Sequence, residues 1–306
     1  MPGPLVVPSP GDLQFIARQV LETPVRSSPV LDAQVGRMIH VKDETVQRSG
    51  SFKFRGAVLG LRNAERGVVA AGAGNFPIAV GLAAQVLDKP ACLMMPSDAP
   101  DFKREQARKT GAEIKIAERS ELTARAQAEA RGRGWRNLHA FDDIEMIAGS
   151  YTLGSEVAAA IEARSTASDA VVVACGGGGL AAGVALALRS RSISAAIYVV
   201  EPATHRRYAR AREAGMPVRI EPSGDTICDA LRSRQIGTRA FEILERSNVR
   251  VCAVDGELVQ GAMTLLHETC GIRAEPSGAL AMGAVLAGAV DSEHSRVWVI
   301  ACGGNV

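Results

Sequence analysis

The stretch that decides the fold is AVVVACGGGGLAAG, residues 170–183. An apolar run ends at Ala174, Cys175 and four consecutive glycines follow, and a helix-like segment begins at Ala181. A strand, a glycine loop and a helix N-terminus together expose successive backbone N–H groups with no Cβ in the way, and such groups bind phosphate and other anions. No Gly-Lys-Ser/Thr follows, so the loop is not of the Walker A type, and it is not a GxGxxG in a first βα unit. The alternative is a glycine turn that serves only tight packing.

Outward from this stretch, short β-branched runs alternate with Ala- and Leu-rich segments, which is typical of βαβ units on a parallel sheet. The pattern predicts strands at 68–71, 91–95, 113–116, 170–174, 196–200, 249–254 and 296–301, and helices at 78–87, 101–110, 121–132, 150–164, 180–190, 257–269 and 277–286. We therefore expect an α/β protein of two interlocked lobes, each an open, mostly parallel twisted sheet flanked by helices. Residues 65–145 would form a small substrate-side domain, inserted into a large cofactor-binding domain made of 1–64 and 146–306. Ligands of such proteins bind in the cleft, at the carboxyl ends of the strands.

Composition excludes several other classes of protein. The chain has 306 residues, 47% hydrophobic and 22% charged, which excludes disordered and coiled-coil chains. With 35 basic against 33 acidic residues and no basic stripe, nucleic-acid binding is disfavoured. The six cysteines form no CxxC pair, and we find neither a signal peptide nor a long uninterrupted apolar run. We expect a cytoplasmic protein that does not bind membranes.

Three further segments carry candidate chemistry. In SFKFRGA (51–57), Lys53 lies between two phenylalanines, and desolvation would favour its neutral, nucleophilic form, although such a lysine can also lie on the surface. GAGNFP (72–77) would let a carboxylate approach backbone N–H groups, with Asn75 as a hydrogen-bonding side chain. ACGGN (301–305) follows an apolar strand and could equally be a strand end with a turn.

Taken in order, these segments resemble the fold type II, or tryptophan synthase β-like, superfamily of pyridoxal-phosphate enzymes, in particular its serine/threonine dehydratase and serine racemase branch. The resemblance runs from about residue 16 to residue 305. It rests on VKDETVQRSGSFKFRGA (41–57), AGN (73–75), MPSDAPDFKREQARKTGAEI (95–114), FDDIEMIAGSYTLGSEV (141–157), CGGGGLAAG (175–183), VEP (200–202), EPSGAL (275–280) and CGGN (302–305).

This resemblance implies a role for each matching residue. Lys53 would bind pyridoxal 5'-phosphate covalently and later move the substrate's α-proton, and Phe52 would lie against the pyridine ring. The remaining cofactor contacts would come from Asn75 at the ring hydroxyl, Cys302 at the ring nitrogen, and the phosphate-binding N–H groups of Gly176, Gly177, Gly178, Gly179 and Leu180. Glu275 would tune the ring, or would simply be an acid favoured at a helix N-terminus. The substrate carboxylate would bind at Gly72, Ala73, Gly74, Asn75 and Phe76.

The chain also departs from that branch, which commonly reads Ser-Ser-Gly-Asn-His where this sequence reads Gly-Ala-Gly-Asn-Phe. In racemases of that branch the second serine is the acid/base on the opposite face of the α-carbon, and Ala73 has no proton to give, so the resemblance implies that two-base racemisation is disfavoured. Phe76 would make the pocket drier. Arginines follow Glu201 where family members with a divalent-metal site supply a second carboxylate, so we expect no metal. The sequence ends just past CGGN, so we expect no C-terminal regulatory domain of the biosynthetic threonine dehydratase kind.

The expected activity is that of an ammonia-lyase of the threonine/serine dehydratase type, which converts an L-β-hydroxy amino acid into a 2-oxo acid and ammonia, in a homodimer. The alternatives are β-replacement, elimination from hydroxyaspartate or diaminopropionate, and racemisation. A coenzyme-binding protein without turnover, or a nucleotide-binding α/β protein, would be of a different class.

Overall fold

The computed structural model describes residues 7–164 and 167–306, which form two sheets and twelve α-helices. Residues 1–6, which belong to the segment in which no signal peptide is expected, lie outside the described residues. The strands are β1 (Val25–Arg26), β2 (Met38–Asp43), β3 (Val68–Ala71), β4 (Ala91–Pro96), β5 (Glu113–Ala117), β6 (Arg136–Leu138), β7 (Asp169–Ala174), β8 (Ala196–Pro202), β9 (Arg250–Val254) and β10 (Arg296–Ala301).

The helices connect these strands and cover the sheets. They are α1 (Pro10–Gln19), α2 (Pro29–Val35), α3 (Lys53–Arg62), α4 (Asn75–Leu87), α5 (Asp101–Lys109), α6 (Leu122–Arg133), α7 (Ile144–Glu162), α8 (Gly179–Ser190), α9 (Arg207–Ala214), α10 (Thr238–Arg246), α11 (Gly256–Cys270) and α12 (Pro276–Leu286). Among the helices of the described residues, none combines the length and apolar character that crossing a bilayer requires.

The predicted α/β class with mostly parallel sheets is confirmed. The larger sheet has the order β1-β2-β10-β7-β8-β9, with only β1 antiparallel to its neighbour, and the smaller sheet has the order β5-β4-β3-β6, all parallel. The central strands β7 and β10 are buried along their whole length, as strands covered on both faces must be.

The smaller sheet lies within the predicted small-domain segment, and the larger sheet is built from both ends of the chain. Helix α3 falls in the segment predicted for the large domain, yet it packs Phe54, Ala57, Val58 and Leu61 into a core cluster shared with β3, β4 and α4. The domain boundaries themselves stay a prediction.

Two helix starts predicted from the sequence are wrong. Helix α4 begins at Asn75, not at 78. Pro77 is compatible with this start because it lies in the first turn, where backbone N–H groups have no partner inside the helix and the N–H that proline lacks is not needed. Helix α7 begins at Ile144, not at 150, and Gly149 lies inside it at the crossing with α3. A Cβ at Gly149 would lie 2.2 Å from the Gly56 nitrogen, so this glycine permits close helix packing and does not end the helix.

Strand β2 was missed because its sequence, MIHVKD, mixes charged with apolar residues. The charges are buried but paired: the Lys42 ammonium lies 2.6 Å from a Glu156 carboxylate oxygen, and Asp43 accepts a hydrogen bond of 2.6 Å from Arg26. Ion pairing lets such residues enter a sheet interior, which an apolar pattern alone does not predict.

Candidate active site

A cavity of about 310 Å³ lies where the carboxyl ends of β3, β7 and β10 meet the first residues of α3, α4, α8 and α12. All the site residues proposed from the sequence line this one cavity: Phe52, Lys53, Gly72, Ala73, Gly74, Asn75, Phe76, Gly176, Gly177, Gly178, Gly179, Leu180, Glu275 and Cys302. Segments up to 250 residues apart in the sequence therefore converge on a single space at the strand ends.

Lys53 is the first residue of α3, and the C-terminal segment holds it in place. Ser51 forms a β-bridge with Gly303, and the Phe52 N–H donates to the Cys302 carbonyl at 3.1 Å. The Lys53 ammonium donates to the Ala140 carbonyl at 2.6 Å and lies 4.8 Å from the centre of the Phe52 ring. Burial lowers the pKa of this amine to about 8. A substantial fraction of Lys53 is therefore neutral and nucleophilic near physiological pH.

The glycine loop between β7 and α8 presents backbone to the cavity. Gly178 caps α8 with a φ of +91°, a conformation that favours glycine, and no side chain caps the helix. The first N–H groups of a helix have no partner inside it, so those of Gly179 and Leu180 are available to a ligand. The positive end of the helix dipole adds to the attraction for an anion.

A second helix N-terminus enters the same cavity from the smaller sheet. Gly74 caps α4, again without a side-chain hydrogen bond, and Asn75 and Phe76 begin the helix. Of the helix N-termini at this cavity, those of α4 and α8 follow loops of small residues, one beside each sheet, and they can bind two separate anionic groups.

Polar side chains connect the two sheets at the floor of the cavity. The Asn75 amide donates to a Glu275 carboxylate oxygen at 2.5 Å, and its own oxygen accepts from Asn305 at 2.9 Å. Asn305 also donates to the Ser49 carbonyl at 2.9 Å, so both ends of the Asn75 amide are fixed. Burial raises the pKa of Glu275, which is 2% exposed.

Cys302 follows β10 and is buried, with its thiol 3.5 Å from the Ser277 carbonyl, to which it donates. Burial raises the pKa of this thiol well above its usual range. Cys302 is therefore a neutral group and no source of negative charge in the site.

The structure adds cavity-lining residues that sequence reasoning missed, among them Phe141, Ser277, Asp229, Arg119 and Arg232. Phe141 and Ser277 belong to the quoted segments FDDIEMIAGSYTLGSEV and EPSGAL, so a signal for them was present. Asp229, Arg119 and Arg232 lie outside helices and strands predicted from the sequence, and nothing in their local pattern marks them.

Glu201, at which we expect no metal ion, is fully buried, and its carboxylate is already hydrogen-bonded to backbone. Its carboxylate accepts from the N–H groups of Tyr208 at 2.8 Å and Ala209 at 3.0 Å, at the start of α9. The buried Arg207 guanidinium lies 3.9 Å from the same carboxylate and donates to the Cys175 carbonyl at 3.1 Å. A guanidinium thus stands beside Glu201, and the expectation of no metal stays a prediction.

Comparison with known proteins places these features in a family. The family model described as "Pyridoxal-phosphate dependent enzyme" matches residues 16–303. The chain is 35% identical over 294 residues to an L-threo-3-hydroxyaspartate ammonia-lyase of Pseudomonas sp., covering 93% of this chain and 90% of the relative. It is 32% identical to a serine racemase of Oryza sativa subsp. indica, over 95% of this chain and 88% of that one. The solved structure of a threonine deaminase from T.th. superposes with a TM-score of 0.90 at 34% identity, covering 98% of this chain and 99% of the other.

Proposed function

Because the chain belongs to the family of pyridoxal-phosphate dependent enzymes, we propose that it is an ammonia-lyase of the threonine/serine dehydratase type. It would convert an L-β-hydroxy amino acid into a 2-oxo acid and ammonia. The cofactor is pyridoxal 5'-phosphate. The observation that carries the proposal is the cavity itself, where a lysine of lowered pKa faces two helix N-termini, one for the cofactor phosphate and one for a substrate carboxylate.

The residues of the cavity fit this cofactor. A Cβ at Gly177 would lie 2.2 Å from the Phe141 ring, and one at Gly179 would lie 2.4 Å from the Phe141 carbonyl oxygen, so the loop has room only for bare backbone. Its N–H groups, together with that of Leu180, would hold the phosphate. Lys53 would hold the cofactor covalently, Phe52 would pack against its ring, and Asn75 has a second amide N–H to offer the ring hydroxyl.

When bound, pyridoxal phosphate supplies the electron sink that makes the α-proton of an amino acid acidic. The chain's own residues would bind the substrate, move its proton and exclude water. The N–H groups of Asn75 and Phe76 would bind and orient the substrate carboxylate. The Lys53 Nζ, neutral in part because its pKa is about 8, would accept the α-proton. Phe76, which is 5% exposed, would exclude water from that side.

Two features favour elimination over racemisation. The resemblance implies that the neutral thiol of Cys302 would stand at the ring nitrogen, where it would not favour the protonated form as a carboxylate would, so the bound cofactor would be a weak electron sink that suits loss of a β-hydroxyl. Ala73 carries no hydroxyl that could protonate the opposite face of the α-carbon. Both features support a lyase with one catalytic base, Lys53.

The test is to mix the protein, saturated with pyridoxal phosphate, with L- and D-forms of serine, threonine, phenylserine and 3-hydroxyaspartate. We expect 2-oxo acid and ammonia in equal amounts from at least one L-β-hydroxy amino acid, with an accompanying change in the cofactor spectrum. A change in the spectrum without 2-oxo acid would instead support β-replacement or racemisation. A cofactor spectrum that no amino acid alters would support a binding protein without turnover.

One observation favours a second candidate, elimination from a β-hydroxy amino acid with a second carboxylate. Arg119 and Arg232 both line the cavity, one beyond the end of β5 and one beyond the 3-10 helix at Asp229–Leu231. Each is about half exposed and paired with an acid, Arg119 with Asp98 and Arg232 with Asp225. The second carboxylate of a dicarboxylic substrate could replace Asp98 or Asp225 as the partner of one of these arginines, since a guanidinium binds carboxylates in bidentate fashion.

The two candidates differ in how they respond to loss of these arginines. If the substrate is dicarboxylic, Arg119→Gln and Arg232→Gln should lower kcat/KM for 3-hydroxyaspartate by about tenfold or more and leave that for threonine unchanged. Arg210→Gln, an exposed arginine paired with Glu213 away from the cavity, is the matched control. Equal effects on both substrates would exclude the dicarboxylic candidate.

A further inference from the structure

A buried lysine that the proposed mechanism does not use lies directly behind the cavity. Lys103, on α5 beside the smaller sheet, is 2% exposed. Its ammonium donates to an Asp229 carboxylate oxygen at 2.7 Å and lies 3.5 Å from Glu275 Oε2. Asp229 and Glu275 belong to the part of the chain that carries the larger sheet, so Lys103 bridges the two sheets. A buried ammonium is costly unless paired, so this bridge is a fixed part of the structure.

The surroundings of Glu275 show what Lys103 contributes. Glu275 Oε1 accepts from Asn75, and Oε2 has no hydrogen-bond partner among the described residues. Besides the amide of Asn75, the groups that face this carboxylate are the ammonium of Lys103, the carboxylate of Asp229 and the neutral thiols of Cys302 and Cys228. Lys103 therefore supplies the positive charge that faces Glu275.

Lys103 also supports the loop that would bind the substrate. A Cβ added at Gly74 would lie 3.4 Å from the Lys103 Nζ, so the ammonium lies immediately beneath the cap of α4. The same side chain thus lies beside the loop before Asn75 and pairs with the carboxylate that holds Asn75. From this position it can act on the cofactor pocket without lining it.

We propose that Lys103 is a positioning residue: it is the counter-ion of Glu275, and through Glu275 it fixes the Asn75 amide and ties the smaller sheet to the wall of the cavity formed by Asp229. This inference rests on the proposed function insofar as Asn75 and Glu275 contact the cofactor. Burial raises the pKa of Glu275 and the Lys103 ammonium lowers it, so loss of Lys103 would raise this pKa further and weaken the charge assistance of the bond to Asn75.

The experiment compares Lys103→Met with Lys109→Met, an exposed lysine on the same helix. The first readout is the dissociation constant of pyridoxal phosphate from the coenzyme-free protein, measured by absorbance with no amino acid present. We expect K103M to weaken binding by at least ~10-fold, and K109M by less than ~2-fold. Because no turnover is measured, this result is independent of whether the protein is a lyase.

A double-mutant cycle separates positioning from general support of the fold. If Lys103 acts through Glu275, K103M should weaken binding in a Glu275→Gln background by less than ~3-fold. The absorption spectrum of the bound coenzyme should change alike in K103M and E275Q, and not in K109M. If K103M does not fold, Lys103→Gln, which keeps a donor to Asp229 without the charge, takes its place. Additive losses in the double variant, or an unchanged spectrum in K103M, would overturn the proposal.

Discussion

The two loops that face each other across the cavity differ in how much room they leave for side chains. Between β7 and α8 the loop is packed on both sides: a Cβ at Gly177, Gly178 or Gly179 would lie 2.2 to 2.8 Å from atoms of Phe141 or Ala240. Between β3 and α4 the corresponding distances are longer, 3.2 Å from Gly72 to Pro77 and 3.4 Å from Gly74 to Lys103. The first loop is almost wholly buried, whereas Gly72, Ala73 and Gly74 are partly open to the cavity.

This difference indicates that the two loops have different functions, one in binding the cofactor and one in selecting the substrate, which we call the division of labour. A loop with no space for a Cβ can bind a ligand only through its backbone, and it suits a group that never changes, such as the cofactor phosphate. A loop with space for side chains can vary without loss of the fold, and it suits the choice of substrate. Three residues in which this sequence departs from its branch lie at the second loop: Gly72 and Ala73 are in the loop itself, and Phe76 is in the first turn of the helix that follows it.

Removal of the lysine between the loops should have the largest effect. Lys53→Ala would remove the proposed base for the α-proton and the proposed point of covalent attachment, so we expect 2-oxo acid formation to fall at least ~10³-fold. The measurement is turnover of the best substrate, with Lys109→Ala as the exposed control. Turnover in K53A close to that of the control would show that another residue acts as the base.

The contrast between the loops predicts unequal effects of the same substitution. In Gly179→Ala the new Cβ must displace Phe141 backbone, a strain of about 1–3 kcal/mol that should weaken binding of pyridoxal phosphate roughly 10–100-fold. In Gly72→Ala the atom nearest to the new Cβ is Pro77 Cδ at 3.2 Å, and the next ones lie at 3.8 Å, so binding should change less than about threefold. Equal dissociation constants for the two variants, each checked for folding by thermal unfolding, would contradict the division of labour.

The pH dependence of cofactor attachment sharpens the account of Lys53. Only the neutral amine attacks the aldehyde, and burial lowers its pKa to about 8. Attachment to the coenzyme-free protein should therefore accelerate about tenfold per pH unit below 8 and level off above that pH. Stopped-flow absorbance measures this rate. A rate that is still rising steeply between pH 9 and 10 would show that the amine is not desolvated.

The smallest effect on elimination is expected from a substitution in the open loop. Ala73→Ser would add a hydroxyl on the face that we propose to lie opposite Lys53, so elimination should change by less than about threefold, while exchange of the α-proton with solvent deuterium on that face should rise. Deuterium in recovered substrate, and its stereochemistry, are measured by NMR. If exchange in A73S does not rise, the absence of a hydroxyl at Ala73 does not explain why racemisation is disfavoured.

The sequence predicted the backbone-determined part of the site better than the part formed by distant side chains. The glycines at 176–179 were found because a strand, a glycine loop and a helix form a local pattern, whereas Lys53 between two phenylalanines was compatible with a surface lysine and its role came from the family resemblance. The cross-sheet contacts of Lys103 with Asp229 and Glu275 were missed, since they join residues 126 and 172 positions apart. Strand β2 was missed for a related reason: Lys42 and Asp43 are tolerated in the interior only because partners elsewhere in the chain neutralise them.

The most direct test of the central claim is to reduce the native, pyridoxal-phosphate-loaded protein with borohydride and locate the modified residue by peptide mass spectrometry. The account predicts a single adduct, on Lys53, between the two loops. An adduct on Lys103, the other lysine beside the cavity, or on a surface lysine alone, would contradict it.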